Sequence, residues 1–265
     1  MTSITAVTEE ANRDDAVLVE QRDRILIITI NRPEAKNAVN SAVSQGLAAA
    51  MDRLDEDPTL SVGVVTGAGG SFCAGMDLKA FAKGENMLVP GRGLGFTERP
   101  SVKPLIAAVE GYALAGGTEL ALATDLIVAS NASAFGIPEV KRGLVAGGGG
   151  LLRLPQRIPY AIAMELALTG DSLTAQRAHE LGLVNVLTEP GAALEGALAL
   201  AEKITANGPL AVAATKRIIV ESRDWSDEEK WTKQMAILGP VFMSKDAREG
   251  AVAFAEKRAP NWIGS

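Results

Sequence analysis

Apolar residues in this chain form short β-rich runs in its first half and helical periodicities in its second. Residues 17–19 and 25–30 are two such runs separated by Gln21-Arg22-Asp23-Arg24, which predicts an antiparallel hairpin. Asn31-Arg32-Pro33 ends the second run, and Asn40-Ser41 offers N-caps to a helix over 42–54, where Val43, Leu47, Ala50, Met51 and Leu54 recur at helical spacing. Residues 62–66, 103–109 and 126–129 read as buried strands, each leading toward or away from a glycine-rich turn at 67–77, 111–117 or 143–150. Beyond Pro155 the pattern is helix after helix, over 160–168, 174–181, 192–206, 209–222 and 226–238, with no further strand expected. Asn207-Gly208-Pro209 is the clearest break. The chain thus divides into a polar, flexible tail at 1–15, an α/β core over 16–205 and a helical region over 206–265. Residues 80–100, with Gly84, Pro90, Gly91, Gly93, Gly95 and Pro100, predict a mobile surface segment over the core.

Composition narrows the function. At 265 residues, 47% hydrophobic and 22% charged, the chain has enough apolar surface for one large core, which excludes disorder as a whole. Aromatics are only 4%, so Ala, Leu, Val and Ile must build that core at short range. A single cysteine and a single histidine exclude an intramolecular disulfide framework, Cys-rich metal sites and His-based metal triads. The net charge of -6 gives no general attraction to nucleic acid or anionic membrane. The longest charge-free stretch, 58–76, contains five glycines and suits a strand and loop rather than a bilayer span. Residues 1–15 lack a basic start and an apolar stretch, so a cytoplasmic protein acting on small molecules is expected.

The glycine-rich loops fit neither a P-loop nor a dinucleotide fingerprint, since no Gly-Lys-Ser/Thr occurs and Phe72 or Leu152 stands where a third glycine is needed. Three such loops in succession are more than sheet packing requires, and they suggest backbone N–H groups aimed at a ligand. Glu119 begins an apolar run directly after Gly116-Gly117-Thr118; a buried carboxylate there is an acid-base candidate, and equally a helix N-terminal charge. Glu139, following Pro138, carries the same two readings. Asp125 suits structural hydrogen bonding, His179 an exposed inert position and Cys73 a buried thiol, while Ser71 lacks a nucleophile elbow.

The segments Asn31-Arg32-Pro33-Glu34-Ala35-Lys36-Asn37-Ala38, Val65-Thr66-Gly67, Phe72-Cys73-Ala74-Gly75-Met76-Asp77-Leu78-Lys79, the run from Lys103 to Leu120 and Phe135-Gly136-Ile137-Pro138-Glu139 resemble the enoyl-CoA hydratase/isomerase (crotonase) family. Leu168-Thr169-Gly170, the run from Ala178 to Val184 and Phe254-Ala255-Glu256-Lys257-Arg258 extend the resemblance over nearly the whole chain. It implies an α/β fold, a spiral of ββα units with a C-terminal helical trimerisation region, and often a dimer of trimers. It also implies an acyl-CoA thioester substrate whose carbonyl is polarised by the N–H groups of Met76 and Gly116, where relatives often carry smaller residues than Met76 and a glycine at Ala115. No metal or redox cofactor is implied, because coenzyme A enters as part of the substrate. A preorganised oxyanion donor is worth ~3–4 kcal/mol to an enolate-like transition state.

By resemblance, Glu119 and Glu139 hold one water between them, Glu119 activating it for attack on C3 and Glu139 protonating C2, in syn hydration of a trans-2-enoyl-CoA. Two carboxylates around one water titrate as a coupled pair. Gly147 stands where relatives use a backbone group near the water; Ala35, Lys36, Ala74, Asp77, Leu78 and Lys79 would line the nucleotide or pantetheine path, and Phe254 and Lys257 would reach a neighbour's site. A 3,2-enoyl-CoA isomerase, a specialised hydroxyacyl-CoA dehydratase and an acyl-CoA-binding protein without turnover are the alternatives.

Overall fold

β1 (Val17–Arg22) and β2 (Ile25–Ile30) form the expected hairpin, in a register from Val17 opposite Ile30 to Arg22 opposite Ile25. The structure, a computed structural model, describes residues 15–265, so the tail expected at 1–15 lies outside the described residues but for Asp15. α1 (Ser41–Glu56) starts where the Asn40 side chain accepts the Val43 N–H at 3.0 Å, and it buries all five of the residues read at helical spacing. β3 (Val62–Gly67) pairs parallel with β2, and the short α2 (Leu78–Ala82) follows. Next come β4 (Leu105–Val109), β5 (Tyr112–Leu114), α3 (Gly116–Ala123), β6 (Leu126–Ser130) and β7 (Ala134–Gly136). α4 (Gly150–Arg157), α5 (Tyr160–Thr169), β8 (Ser172–Thr174), α6 (Ala175–Glu180), β9 (Val186–Thr188) and α7 (Ala193–Thr205) complete the core.

β8 and β9 correct the expectation that strands end before Pro155. Each has three residues, too few to display an alternation, and each lies at the edge of its sheet. The larger sheet has the order β1-β2-β3-β4-β6-β9, parallel except for the opening hairpin, and the smaller has the order β5-β7-β8. Successive stretches of chain give one strand to each sheet, β4 then β5, β6 then β7, β8 then β9. The backbone therefore winds as a spiral with the main core inside it.

The continuous apolar runs are explained by burial on both faces of the larger sheet. Leu26, Ile28, Val65, Leu105, Ala107 and Ile127 face the main core with α1 and α3, while Ile27, Val62, Val64, Ile106, Ala108 and Val128 face Ala197, Leu198 and Ala201 of α7.

Residues 80–100 are not the mobile surface segment expected from their glycines and prolines. Met87, Leu94 and Phe96 are buried, and the buried Arg92 pairs with Asp52 on α1 and donates to the Arg99 carbonyl at 2.9 Å. The apolar anchors are spaced irregularly, so no period announces them.

Three helices close the chain: α8 (Pro209–Glu221), α9 (Lys230–Phe242) and α10 (Lys245–Glu256). α8 and α9 bury no residue, and Trp231, Met235, Phe242 and Met243 are exposed. α8 is fastened to the core by Lys216, whose ammonium donates to the carbonyls of Ser101 and Lys103 at 2.7 and 2.8 Å and to Asp125 Oδ2 at 2.7 Å. Asp125 also accepts the Leu105 N–H at 2.7 Å, the structural role expected for it. No helix among the described residues is long and apolar enough to cross a membrane.

Replacing Lys216 with Met leaves two carbonyls and one carboxylate without their shared donor. The expected outcome is a loss of roughly 2–3 kcal/mol of unfolding free energy, with a smaller loss for Asp125→Asn, which keeps an acceptor. Chemical denaturation of the two variants beside the parent protein checks it.

Candidate active site

After β3 the chain runs through the glycine-rich loop 68–77 and lies alongside β5. The Cys73 N–H donates to the Tyr112 carbonyl at 2.9 Å, and the Cys73 carbonyl accepts from Leu114 at 3.0 Å. On its other side the Gly75 carbonyl accepts from Val39 at 2.8 Å and the Asp77 N–H donates to the Val39 carbonyl at 2.9 Å. A strand-like residue between two such bonds points its own N–H the opposite way, so the Met76 N–H faces away from Val39, toward the start of α3.

α3 begins abruptly. Ala115 adopts φ 51°, ψ -126°, an unusual conformation for a residue with a Cβ, and its N–H donates to the Gly136 carbonyl at 2.8 Å. Gly116 then opens the helix with an N–H that has no intrahelical acceptor. A Cβ placed on Gly116 would lie 3.6 Å from the Met76 nitrogen, and one on Gly75 would lie 3.3 Å from the Gly116 nitrogen. The two N–H groups are thus neighbours, and neither donates to a protein acceptor among the described residues. Gly117 allows the approach: a Cβ there would stand 2.0 Å from the Cys73 carbonyl oxygen. Thr118 rivets the helix between β5 and β7, with Oγ1 at 2.6 Å from the Ala113 carbonyl and accepting from the Gly136 N–H at 3.0 Å.

Glu119 lies one turn into this buried helix and is 2% exposed. Its Oε1 accepts the Gly150 N–H at 2.9 Å, where the loop 143–149 enters α4. Burial pushes its pKa up, against the opposing pull of the Gly150 and Gly148 N–H groups and of the nearby Arg153 guanidinium. Glu139 begins the 3-10 turn Glu139–Arg142 after β7. Its Oε2 is buried without a hydrogen-bond partner. Its pKa is also raised, first by burial and then by the charge of Glu119, with Arg142 opposing. Two carboxyl groups 20 positions apart in sequence therefore lie in each other's field. A cavity of about 400 Å³ opens against Glu139, walled by Ile137, Val145, Leu151, Leu154, Ala163 and Met164 among others.

The remaining candidate residues fall into separate groups. Lys36 accepts the Ala74 N–H at 3.0 Å through its carbonyl, which joins Ala35 and Lys36 to the 73–76 loop, and its ammonium sits 5.5 Å from the centre of the Tyr112 ring. Asp77 caps α2, accepting from the N–H groups of Lys79 and Ala80 at 3.0 and 3.2 Å, and pairs with Arg32 at 3.0 Å. Its carboxylate is thus occupied within the chain, while Leu78 and Lys79 are exposed beside it. Gly147 is exposed; it is Gly150 whose N–H reaches Glu119, while Gly148 packs against the carboxylate, where a Cβ would lie 2.7 Å from Oε2. Phe254, 87% exposed, and Lys257 stand at the end of α10, presented to solvent rather than to Glu119 or Glu139 of the same chain. Cys73 is buried and its thiol is pushed up to about 12 by desolvation. His179 is exposed and pairs through Nδ1 with the Val184 carbonyl at 2.8 Å.

Sequence reasoning missed Gly148, Gly150 and Arg153. The signal available for Arg153 was a lone cation in the apolar run Leu151-Leu152-Arg153-Leu154.

The family model for enoyl-CoA hydratase/isomerase matches residues 20–265. Enoyl-CoA hydratase EchA19 of Mycobacterium tuberculosis is 46% identical over 260 residues, covering 92% of this chain and 95% of its own. Carnitinyl-CoA dehydratase of Salmonella arizonae is 43% identical over 249 residues, covering 91% and 95%. The crystal structure of an enoyl-CoA hydratase from M. tuberculosis H37Rv superposes with a TM-score of 0.94 at 78% identity, covering 95% of this chain and all of that one. The spiral of paired strands, the facing N–H groups of Met76 and Gly116 and the near-complete match in sequence lead to one conclusion: the chain belongs to the enoyl-CoA hydratase/isomerase family and has its crotonase fold.

Proposed function

We propose that this protein catalyses the reversible syn hydration of a trans-2-enoyl-CoA bearing an apolar acyl chain, giving the 3-hydroxyacyl-CoA. The observation that carries the reading is the pairing of two raised carboxyl groups, Glu119 anchored by a backbone N–H and Glu139 with a buried oxygen free to act. Ionised Glu119 takes a proton from water as the water oxygen bonds to C3, and protonated Glu139 gives its proton to C2. Electron density displaced onto the thioester oxygen meets the N–H groups of Met76 and Gly116, with the α3 dipole behind them. One proton shared over the pair is the competent state, and mutual repulsion favours it. Every step needs only a base, an acid and two donors, so coenzyme A enters solely as part of the substrate. An isomerase shuttling one proton between carbons has no use for a second carboxyl group, which favours hydration.

The similarity to carnitinyl-CoA dehydratase raises a second reading. A carnitinyl group carries a quaternary ammonium, which proteins hold with aromatic faces or a dedicated carboxylate. Among the described residues that wall the cavity beside Glu139, Tyr160 is the one aromatic, 68% exposed, and Glu139 the one acid. That aliphatic wall supports an uncharged acyl chain. The exposed apolar residues of α8–α10 support assembly of the protein as a homotrimer or a pair of trimers, with Phe254 and Lys257 turned toward a neighbouring copy.

Loss of the conjugated enoyl thioester absorbance, followed with crotonyl-CoA, longer homologues and the trimethylammonium analogue, tests the substrate. kcat/KM is expected to rise about fourfold per buried methylene until the cavity is filled. No turnover with any chain length, or preference for the charged analogue, defeats the reading. Glu119→Gln and Glu139→Gln should each lower kcat by at least about 100-fold with acyl-CoA affinity nearly unchanged. A binding protein has no rate to lose. Light scattering should give the mass of three or six chains; a monomer overturns the assembly.

A further inference from the structure

Arg153 is part of neither the proposed acid-base pair nor the oxyanion donors, yet it stands where three pieces of the site meet. It projects from α4 among Leu151, Leu152 and Leu154 and is partly buried. Its Nη2 donates to the Thr97 carbonyl at 2.5 Å and its Nη1 to the Gly148 carbonyl at 3.3 Å. A Cβ on Gly149 would lie 2.3 Å from Nη1, so the guanidinium rests directly against the glycine loop. Thr97 is itself fixed, its Oγ1 accepting the Leu94 N–H at 3.0 Å.

We infer that Arg153 is the positioning residue of the Glu119 site: its planar fork clamps the loop whose Gly150 N–H holds the Glu119 carboxylate and whose Gly148 packs against it, ties that loop to Thr97, and stands a fixed cation directly behind it. The inference rests on the reading of Glu119 as the base. A fork with two acceptors in different segments suits arginine, whereas lysine has a shorter, single-point reach. Arg153, from α4, is the charge acting on Glu119, whose own charge acts on Glu139, from the turn after β7, where Arg142 opposes it. α3 carries no other charged side chain. Arg153 is thus the cation that opposes the burial of Glu119.

The sign of the effect follows. Glu119 must be ionised to act as base, and removing a nearby cation disfavours the ionised form. Its pKa therefore rises further, and the acid limb of the kcat/KM profile moves to higher pH. Loss of a clamp that only stabilised the fold would lower the melting temperature and leave that limb in place.

Full-length protein labelled with carboxyl-¹³C glutamate reports the Glu119 titration directly, with the signal identified by its loss in Glu119→Gln. In Arg153→Gln the Glu119 midpoint is expected to move upward. The acid limb should move with it, and kcat should fall on the order of 10- to 100-fold with KM little changed, as for a misplaced catalytic group. Arg153→Lys, which retains the charge, should keep a midpoint near that of the parent while still losing kcat. Arg153→Met, which removes the charge but keeps a side chain of similar length, should shift the midpoint as Arg153→Gln does, and carries the test if that variant does not fold. An unmoved Glu119 midpoint in Arg153→Gln or Arg153→Met overturns the inference. Because the titration needs no turnover, an inactive parent protein would defeat the hydratase reading alone.

Discussion

The site depends on the close approach of two stretches of main chain, 73–76 and 113–117. The register is set by hydrogen bonds between Cys73 and β5, and the separation by Gly117, where a single methyl group would collide with the Cys73 carbonyl. This contact aligns the Met76 and Gly116 N–H groups, because both belong to backbone already committed on its other side: Val39 takes the bonds flanking Met76, and Gly136 takes the Ala115 N–H. Donors built from main chain in this way cannot rotate or be replaced by solvent-exposed side chains. Their alignment costs nothing at the moment of reaction, which is the property electrostatic catalysis requires.

How much of this was legible in the sequence follows from element length and burial. The long strands of the larger sheet were readable because both faces are covered, leaving apolar runs with little interruption. β5, β7, β8 and β9, of three residues each, were not, because so short a run has no period. Yet these short strands shape the site: β5 carries the register for Cys73, and β7 delivers Glu139. The segment 80–100 was misread for a related reason. Its glycines and prolines advertise turns, while what holds it down is a few isolated apolar residues and the buried Arg92.

The candidate acids were visible as carboxylates in apolar surroundings, but spacing alone left a capping role equally open. The geometry shows that Glu119 does not cap its own helix. A capping carboxylate accepts from N–H groups of its own helix, as Asp77 does for α2. Glu119 instead turns away from α3 and accepts from Gly150, 31 positions later. Asp77, read from the family motif as lining the nucleotide or pantetheine path, uses its carboxylate to cap α2 and to pair with Arg32. The same residue type thus serves opposite purposes according to whether its partners are local or distant in sequence. Only the fold decides which.

Burial of Glu119 sets the final constraint. An ionised carboxylate enclosed by a wholly buried helix, with a second carboxyl group nearby, is unfavourable by several kcal/mol if left uncompensated. Partial compensation comes from Gly148, Gly150 and Arg153, all supplied by the loop into α4 and that helix itself. Under the proposed hydration, full compensation would hold Glu119 too firmly ionised to accept a proton, and none would leave it protonated and unable to act as base. The balance explains why the groups around Glu119 are weak single donors and a guanidinium held at a distance by backbone carbonyls, rather than a direct ion pair of the kind Arg32 makes with Asp77. It also places the control of proton affinity in the glycine loop, where small residues let backbone and guanidinium approach the carboxylate together.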